Sequence, residues 1–209
     1  KVAVICMIFL GLLVIGAIFI PMFSPFNYSD QNVAYTHQPM FFKDPVSGAV
    51  HIFGTDELGR DIFVRMWCGA RVSLTVAIVV ALIDCLVGVV YGGISGYFGG
   101  IVDNIMMRIV EIISGIPYLI IVILLMTVLE RGIGTIIVAY SLTGWTGMAR
   151  LVRGQVVALN EQEFVIAAKS MGAKPSRIIG LHLVPNVLSV IIVNITLDIP
   201  NVIFTEAFL

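Results

Sequence analysis

Three carboxylates in this chain stand where a carboxylate is costly. Asp84, Glu111 and Asp198 each fall inside a long apolar run. Ionisable groups in hydrocarbon usually face a bundle interior or a water path, or pair with an opposite charge. Contact with a polar solute, an ion relay and simple pairing are therefore open to them. Arg108 and Glu111 are i,i+3 neighbours, which favours pairing for Glu111. Asp198 precedes Pro200 by two residues, and proline frees backbone carbonyls inside a span. Asp198 is thus a candidate translocation-path residue, with Asp84 as a second. No catalytic signature accompanies them. There is no G-x-x-x-x-G-K-[ST] phosphate loop, no H-E-x-x-H and no G-x-S-x-G. Cys6, Cys68 and Cys85 are scattered, as are His37, His51 and His182, so neither a disulfide framework nor a metal site is indicated. No cofactor is expected, and nothing supports a membrane-embedded enzyme. If ATP drives the protein, another chain must hydrolyse it.

The elements that must position these groups are membrane spans. Of 209 residues, 59% are hydrophobic and 12% charged, and the mean hydropathy is +1.04. Such a composition reads as an integral membrane protein. A net charge of -1 offers no basic face for nucleic acid. About 20 apolar residues cross a bilayer as a helix. Val2 to Ile20 is the first expected span, ending at Pro21 and retained, because no A-x-A-type cleavage site follows it. Val72 to Ile94, Ile105 to Leu129, Ile133 to Ala149 and Val184 to Phe204 are the next four. The runs are continuous and not alternating, so the fold class is all-α, a polytopic helical membrane protein and not a barrel. Residues 1–71 form a first span with an external loop, and residues 72–209 form a transmembrane domain with a polar loop at about 150–183. The sequence starts without Met and stops in the apolar "TEAFL", so it reads as part of a longer protein with a sixth span to follow.

Five spans place the N-terminus, the Gly96–Asp103 connection and the 150–183 loop on one side. That side carries Lys1, Arg108, Arg150, Arg153, Lys169, Lys174 and Arg177. The other carries Lys43, Arg60, Arg65, Arg71 and Arg131, with a short Glu130–Gly132 connection. By the positive-inside rule the polar loop faces the cytoplasm. Gly88, Gly92, Gly96 and Gly100 recur every fourth residue, which makes a flat stripe where another helix can approach. Gly88 and Gly92 are candidate helix-packing positions, expected to meet a helix of a second, paired chain. Gly96 and Gly100 serve either packing or the turn after the second span. Asp56, Arg60 and Asp61 cluster before that span, and local ion pairing is favoured over reception of an external protein.

The polar loop has its own order. Asn160 with Glu163 reads as an N-cap and capping-box pair. Phe164, Ala167, Ala168 and Met171 follow at helical spacing as one apolar face. Gly172 fits a helix stop. Pro175 suits the first turn of a second helix, which runs through Arg177 and Ile179 to a limit at Pro185. The result is a helix-turn-helix. It could lie on lipid as an interfacial helix. A narrow face of small residues fits a partner's groove better.

These residues carry a resemblance. Glu163, Phe164, Val165, Ala167, Ala168 and Gly172, then His182, Pro185 and Asn186, look like the "EAA" loop of ABC-importer permeases. "GWTGMARLVRGQVVALNEQEF" (Gly144 to Phe164) extends it. "FGTDELGRDIFVRMWCGARVSL" (Phe53 to Leu74) and "GYFGGIVDNIMMRIVEIISGIP" (Gly96 to Pro117) resemble the dipeptide/oligopeptide/nickel permeases, specifically the C-type subunit. The chain departs from the pattern at Ile166, where the family's loop has Glu; Glu163 offers a carboxylate one turn earlier. The resemblance implies a cytoplasmic-membrane permease subunit of an ATP-driven peptide importer. It implies an ATPase-coupling loop made by Glu163, Phe164, Ala167, Ala168, Met171, Gly172 and Arg177. It further implies a homologous second permease, two ATPase subunits and an extracytoplasmic solute-binding protein as partners. The alternative from the residues alone is an ion-coupled secondary transporter or channel using the intramembrane carboxylates, against which the ordered loop argues.

Overall fold

The computed structural model describes residues 1–129 and 132–207. The expected connection at Glu130, with Arg131 beside it, lies outside the described residues. The chain divides into two units, Lys1–Thr75 and Val76–Leu209.

The first unit starts with α1 (Val2–Phe23), which carries no charge and continues through Pro21 to Ser24, beyond its expected end. A compact extramembrane segment follows, with a two-stranded antiparallel pair β1 (Phe42–Lys43) and β2 (Val50–His51). Here Gly59 has φ +70, and a Cβ on it would strike the Asn32 backbone, so the close approach demands glycine. The charge cluster before the second span is consumed locally. Arg60 donates to Asp56 at 2.7 Å. Asp61 is buried and divides its carboxylate between two tasks. One oxygen lies 2.7 Å from His51 Nδ1, and the other accepts the Val64 N–H at 2.7 Å, as a helix N-cap does. Hydrogen bonds from the Arg60 and Leu58 backbone and from the Arg60 guanidinium hold Asp56 below the usual carboxylate range, outweighing the upward push of burial. The helix that Asp61 caps, α2 (Ile62–Phe98), is 37 residues long and starts well before the expected span.

In the second unit α2 ends at Phe98, and after Gly99 α3 (Gly100–Ser114) begins. α4 (Tyr118–Val128) follows after a 74° bend at Gly115–Pro117, where proline cannot continue the helix. The expected third span is therefore broken. α5 (Ile133–Thr143) and α6 (Trp145–Asn160) divide the expected fourth span at Gly144. α7 (Glu163–Ser170) and α8 (Pro175–Arg177) precede a wide, π-type turn at Ile178–Leu183 that runs into α9 (Val184–Glu206). Pro185 therefore does not end a loop helix. It occupies the first turn of α9, where its missing N–H costs little, and the preceding turn is wound wide. Helices α1 and α2 and the stretch Pro175–Glu206 are long and apolar enough to cross a membrane; α3 with α4 makes a fourth candidate.

Two contacts build the core of this unit. First, α2 and α6 approach closely along the glycine stripe. A Cβ on Gly88 would meet Met148, one on Gly92 the Ala149 carbonyl, and one on Gly96 the Arg153 carbonyl and Val156. The helix that approaches belongs to the same chain. Gly100 meets nothing and has φ +53, so it serves the turn. Second, a polar clamp joins three helices at the α2–α3 corner. Asp103, buried on α3, accepts from Ser95 of α2 at 2.5 Å and from the Arg153 Nε of α6 at 2.7 Å, and Arg153 Nη2 completes a two-point fork on the same carboxylate.

Gly92→Val is expected to destabilise the folded protein by about 1–3 kcal/mol through overpacking. Gly154→Val, at an α6 position with open space around it, should cost almost nothing; thermal unfolding in one detergent compares them. Asp103→Asn should cost about 1–3 kcal/mol, the value of hydrogen bonds to a charged group. In a double-mutant cycle with Arg153→Gln the two losses should fall short of additive, because both remove one contact.

Candidate functional site

The loop between α6 and α9 is anchored on one face and open on the other. Asn160 does not cap α7, contrary to expectation. It is the last residue of α6, and Gln162 occupies the N-cap position. The Asn160 amide donates to the Tyr97 carbonyl at the end of α2 (3.1 Å) and accepts from Lys169 Nζ (2.8 Å). Lys169 also lies 5.1 Å from the centre of the Tyr97 ring, a cation–π distance. Asn160 thus ties α6, α7 and α2 together, a longer-range task than a cap.

The apolar residues of α7 divide differently from the expected single face. Val165 and Ala168 are buried and join Met148, Val152, Val156, Ile178, Leu183, Val187 and Ile191 in one cluster. Ala168 therefore belongs to the inner face with Val165. Phe164 (41% exposed), Ala167 and Met171 (81% exposed) remain as an outward stripe spaced i, i+3, i+7. Glu163 and Arg177 are exposed at either end of the loop. Gly172 has φ +75, the left-handed conformation that ends a helix without strain only for glycine. Such an element can present an apolar stripe to a partner groove while its inner face transmits force to α6 and α9.

The intramembrane acids lie in a second polar region. Asp84 is buried and lies against Gly144, where a Cβ would strike its carboxylate. Its Oδ1 has no hydrogen-bond partner among the described residues. Asp84 is within electrostatic range of Asp198 on α9, and Asp198 accepts from Asn194 at 2.9 Å. Tyr140 of α5 lies against Tyr118 of α4, the rings tilted by 45° with centres 4.6 Å apart, and its hydroxyl is 3.4 Å from the Asn201 carbonyl. Glu111 is not part of this group. It pairs with Arg108 at 2.8 Å on the exposed side of α3. Among the described residues no His/Cys/Asp/Glu group could hold a metal ion.

Sequence reasoning named Val165 only as part of the loop motif and missed its burial, the Ser95–Asp103–Arg153 clamp and the Asn160–Lys169–Tyr97 tie. The clamp had one visible signal, since Ser95 and Asp103 flank the Gly99–Gly100 pair that must turn the chain.

Comparison with known proteins identifies the family of the chain. Residues 1–39 match the N-terminal TM domain of oligopeptide transport permease C. The chain is 50% identical to the oligopeptide transport system permease protein OppC of Bacillus subtilis over all of its own length and 66% of the relative's. It is 49% identical to the dipeptide transport system permease protein DppC of the same organism, again over its whole length and 63% of the relative's. Against OppC of Escherichia coli K12 the identity is 44%, covering the whole chain and 68% of the relative. The chain thus spans about two thirds of the length of these proteins. Residues 88–209, more than half of the chain, match the family described as binding-protein-dependent transport system inner membrane component, and the chain belongs to that family.

Proposed function

We propose that this chain is the C-type permease subunit of an ATP-driven importer of dipeptides or oligopeptides in the cytoplasmic membrane. Its relatives, permeases of oligopeptide and dipeptide transport systems, supply the solute class. The observation that carries the mechanism is the two-faced α7. Its inner residues Val165 and Ala168 are locked into the cluster with α6 and α9, while Phe164, Ala167 and Met171 face outward. An ATPase groove gripping the outer stripe would move α6 and α9 through the inner face, because a close-packed core transmits displacement.

In this reading the helices make five spans, with α3–α4 and α5–α6 each crossing once in two segments, and a sixth follows. The loop is cytoplasmic, with Glu163, Gly172 and Arg177 completing its coupling surface. A homologous permease completes the path, two ATPase subunits draw together on binding ATP, and an external solute-binding protein delivers the peptide. Asp198, with Asp84 behind it, lines the path. Gly88 and Gly92 hold α2 against α6 so that the second unit moves as packed helices.

A photoreactive residue at Met171, in membranes of the native host, should cross-link to an ATP-binding subunit identified by mass spectrometry. Adducts with lipid alone, from folded protein, would sink the coupling assignment. Asp198→Asn should lower peptide uptake about tenfold or more, the value of a charge-assisted hydrogen bond, while leaving the Met171 cross-link intact. Unchanged uptake would remove Asp198 from the path.

A further inference from the structure

A charged cleft of about 670 Å³ lies between α3 and α6, beside the Ser95–Asp103–Arg153 clamp. Three guanidiniums, from Arg108, Arg150 and Arg153, line it against two carboxylates, from Asp103 and Glu111. Both carboxylates are already used: Asp103 holds Arg153, and Glu111 holds Arg108. Arg150 is exposed and makes no ion pair among the described residues. The cleft thus carries one uncompensated positive charge. The Arg108–Glu111 pair is itself largely exposed, with 75% and 58% of the two side chains accessible. Exposed pairs contribute little, so Arg108 can turn to a better acceptor at small cost.

The neighbouring face of α3 is apolar and open. Ile101 (78% exposed), Ile105 (58%) and Ile112 (62%) stand at i, i+4 and i+11, and Arg108 at i+7 lies on the same face. A row of exposed isoleucines therefore runs past a guanidinium into a cleft with a second, free guanidinium. Beyond Arg108, on the membrane side of α3, stands Ile112, and that order matches a phospholipid, anionic phosphate first and apolar chain below it. Basic pockets between membrane helices hold anionic headgroups, and arginine grips phosphate through two parallel hydrogen bonds.

We propose that the α3–α6 cleft binds the phosphate of an anionic phospholipid between Arg150 and Arg108, with an acyl chain leaving past Ile112. The site adjoins the clamp, so a bound lipid rests on the corner that fixes α3 to α6. The inference does not depend on which solute is carried.

The test uses the full-length chain in the assembly that purifies from host membranes, incubated with vesicles of phosphatidylcholine and phosphatidylglycerol. Native mass spectrometry counts the lipids retained, with no nucleotide turnover, so a failure of the transport reading would not affect the readout. The wild type should retain phosphatidylglycerol in preference to phosphatidylcholine. Arg150→Gln should lower that retention about fivefold, the effect of one basic residue near a membrane surface. Arg150→Lys should keep most of it, and Lys43→Gln, on the extramembrane hairpin, should change nothing. If Arg150→Gln prevents assembly, Arg108→Gln takes its place with the same expectation. Equal phosphatidylglycerol retention by wild type and the glutamine variant overturns the proposal. So does a photoreactive residue at position 150 that captures an acidic segment of a neighbouring subunit and no lipid.

Discussion

The cluster that joins α7 to α6 and α9 is the constraint on which the rest of the second unit depends. Val165 and Ala168 are small, yet they are buried among Met148, Val152, Val156, Ile178 and Leu183. Without them α7 would be a tethered surface helix, free to move without consequence. With them, the loop, the end of α6 and the start of α9 form one packed body. Small side chains suit this task. They bring the α7 backbone close, and the fit leaves little slack for a displacement to be absorbed.

Polar contacts then fix what packing alone would leave free to slide. The glycines of α2 let α6 lie close, and a flat stripe does not by itself define a register. Asp103 does so, because a two-point fork from Arg153 and the Ser95 hydroxyl meet on one carboxylate in one geometry. The Asn160–Lys169–Tyr97 tie repeats the logic two turns further along α6, again at the end of α2.

Asp84 shows how an expensive residue can have two explanations. Gly144 leaves room for the buried Asp84 carboxylate where α5 meets α6, since a Cβ there would strike it. Among the described residues Asp84 Oδ1 has no hydrogen-bond partner, and an unpaired acid inside a bundle usually faces a polar path. A place at the helix junction and a place on such a path are compatible in one carboxylate.

The sequence by itself determined the solvent, the class and the family. Long uncharged runs can only be helices in lipid, because every backbone group must be satisfied within its own segment. Local punctuation was legible too: Gly172 ends α7 with a positive φ, and Arg108 finds Glu111 one turn away, because both depend on neighbours a few residues apart. Tertiary structure decided what local spacing could not. It moved Ala168 to the inner face of α7, since its own periodicity cannot say which neighbours α6 and α9 will supply. It recruited Asn160 to Tyr97 and not to a cap, and it brought Arg153 onto Asp103 across fifty residues of chain. It also broke the third and fourth expected spans at Pro117 and Gly144. Hydropathy averages over a window and does not register an interruption, whereas a single proline with its missing N–H is enough to bend a helix.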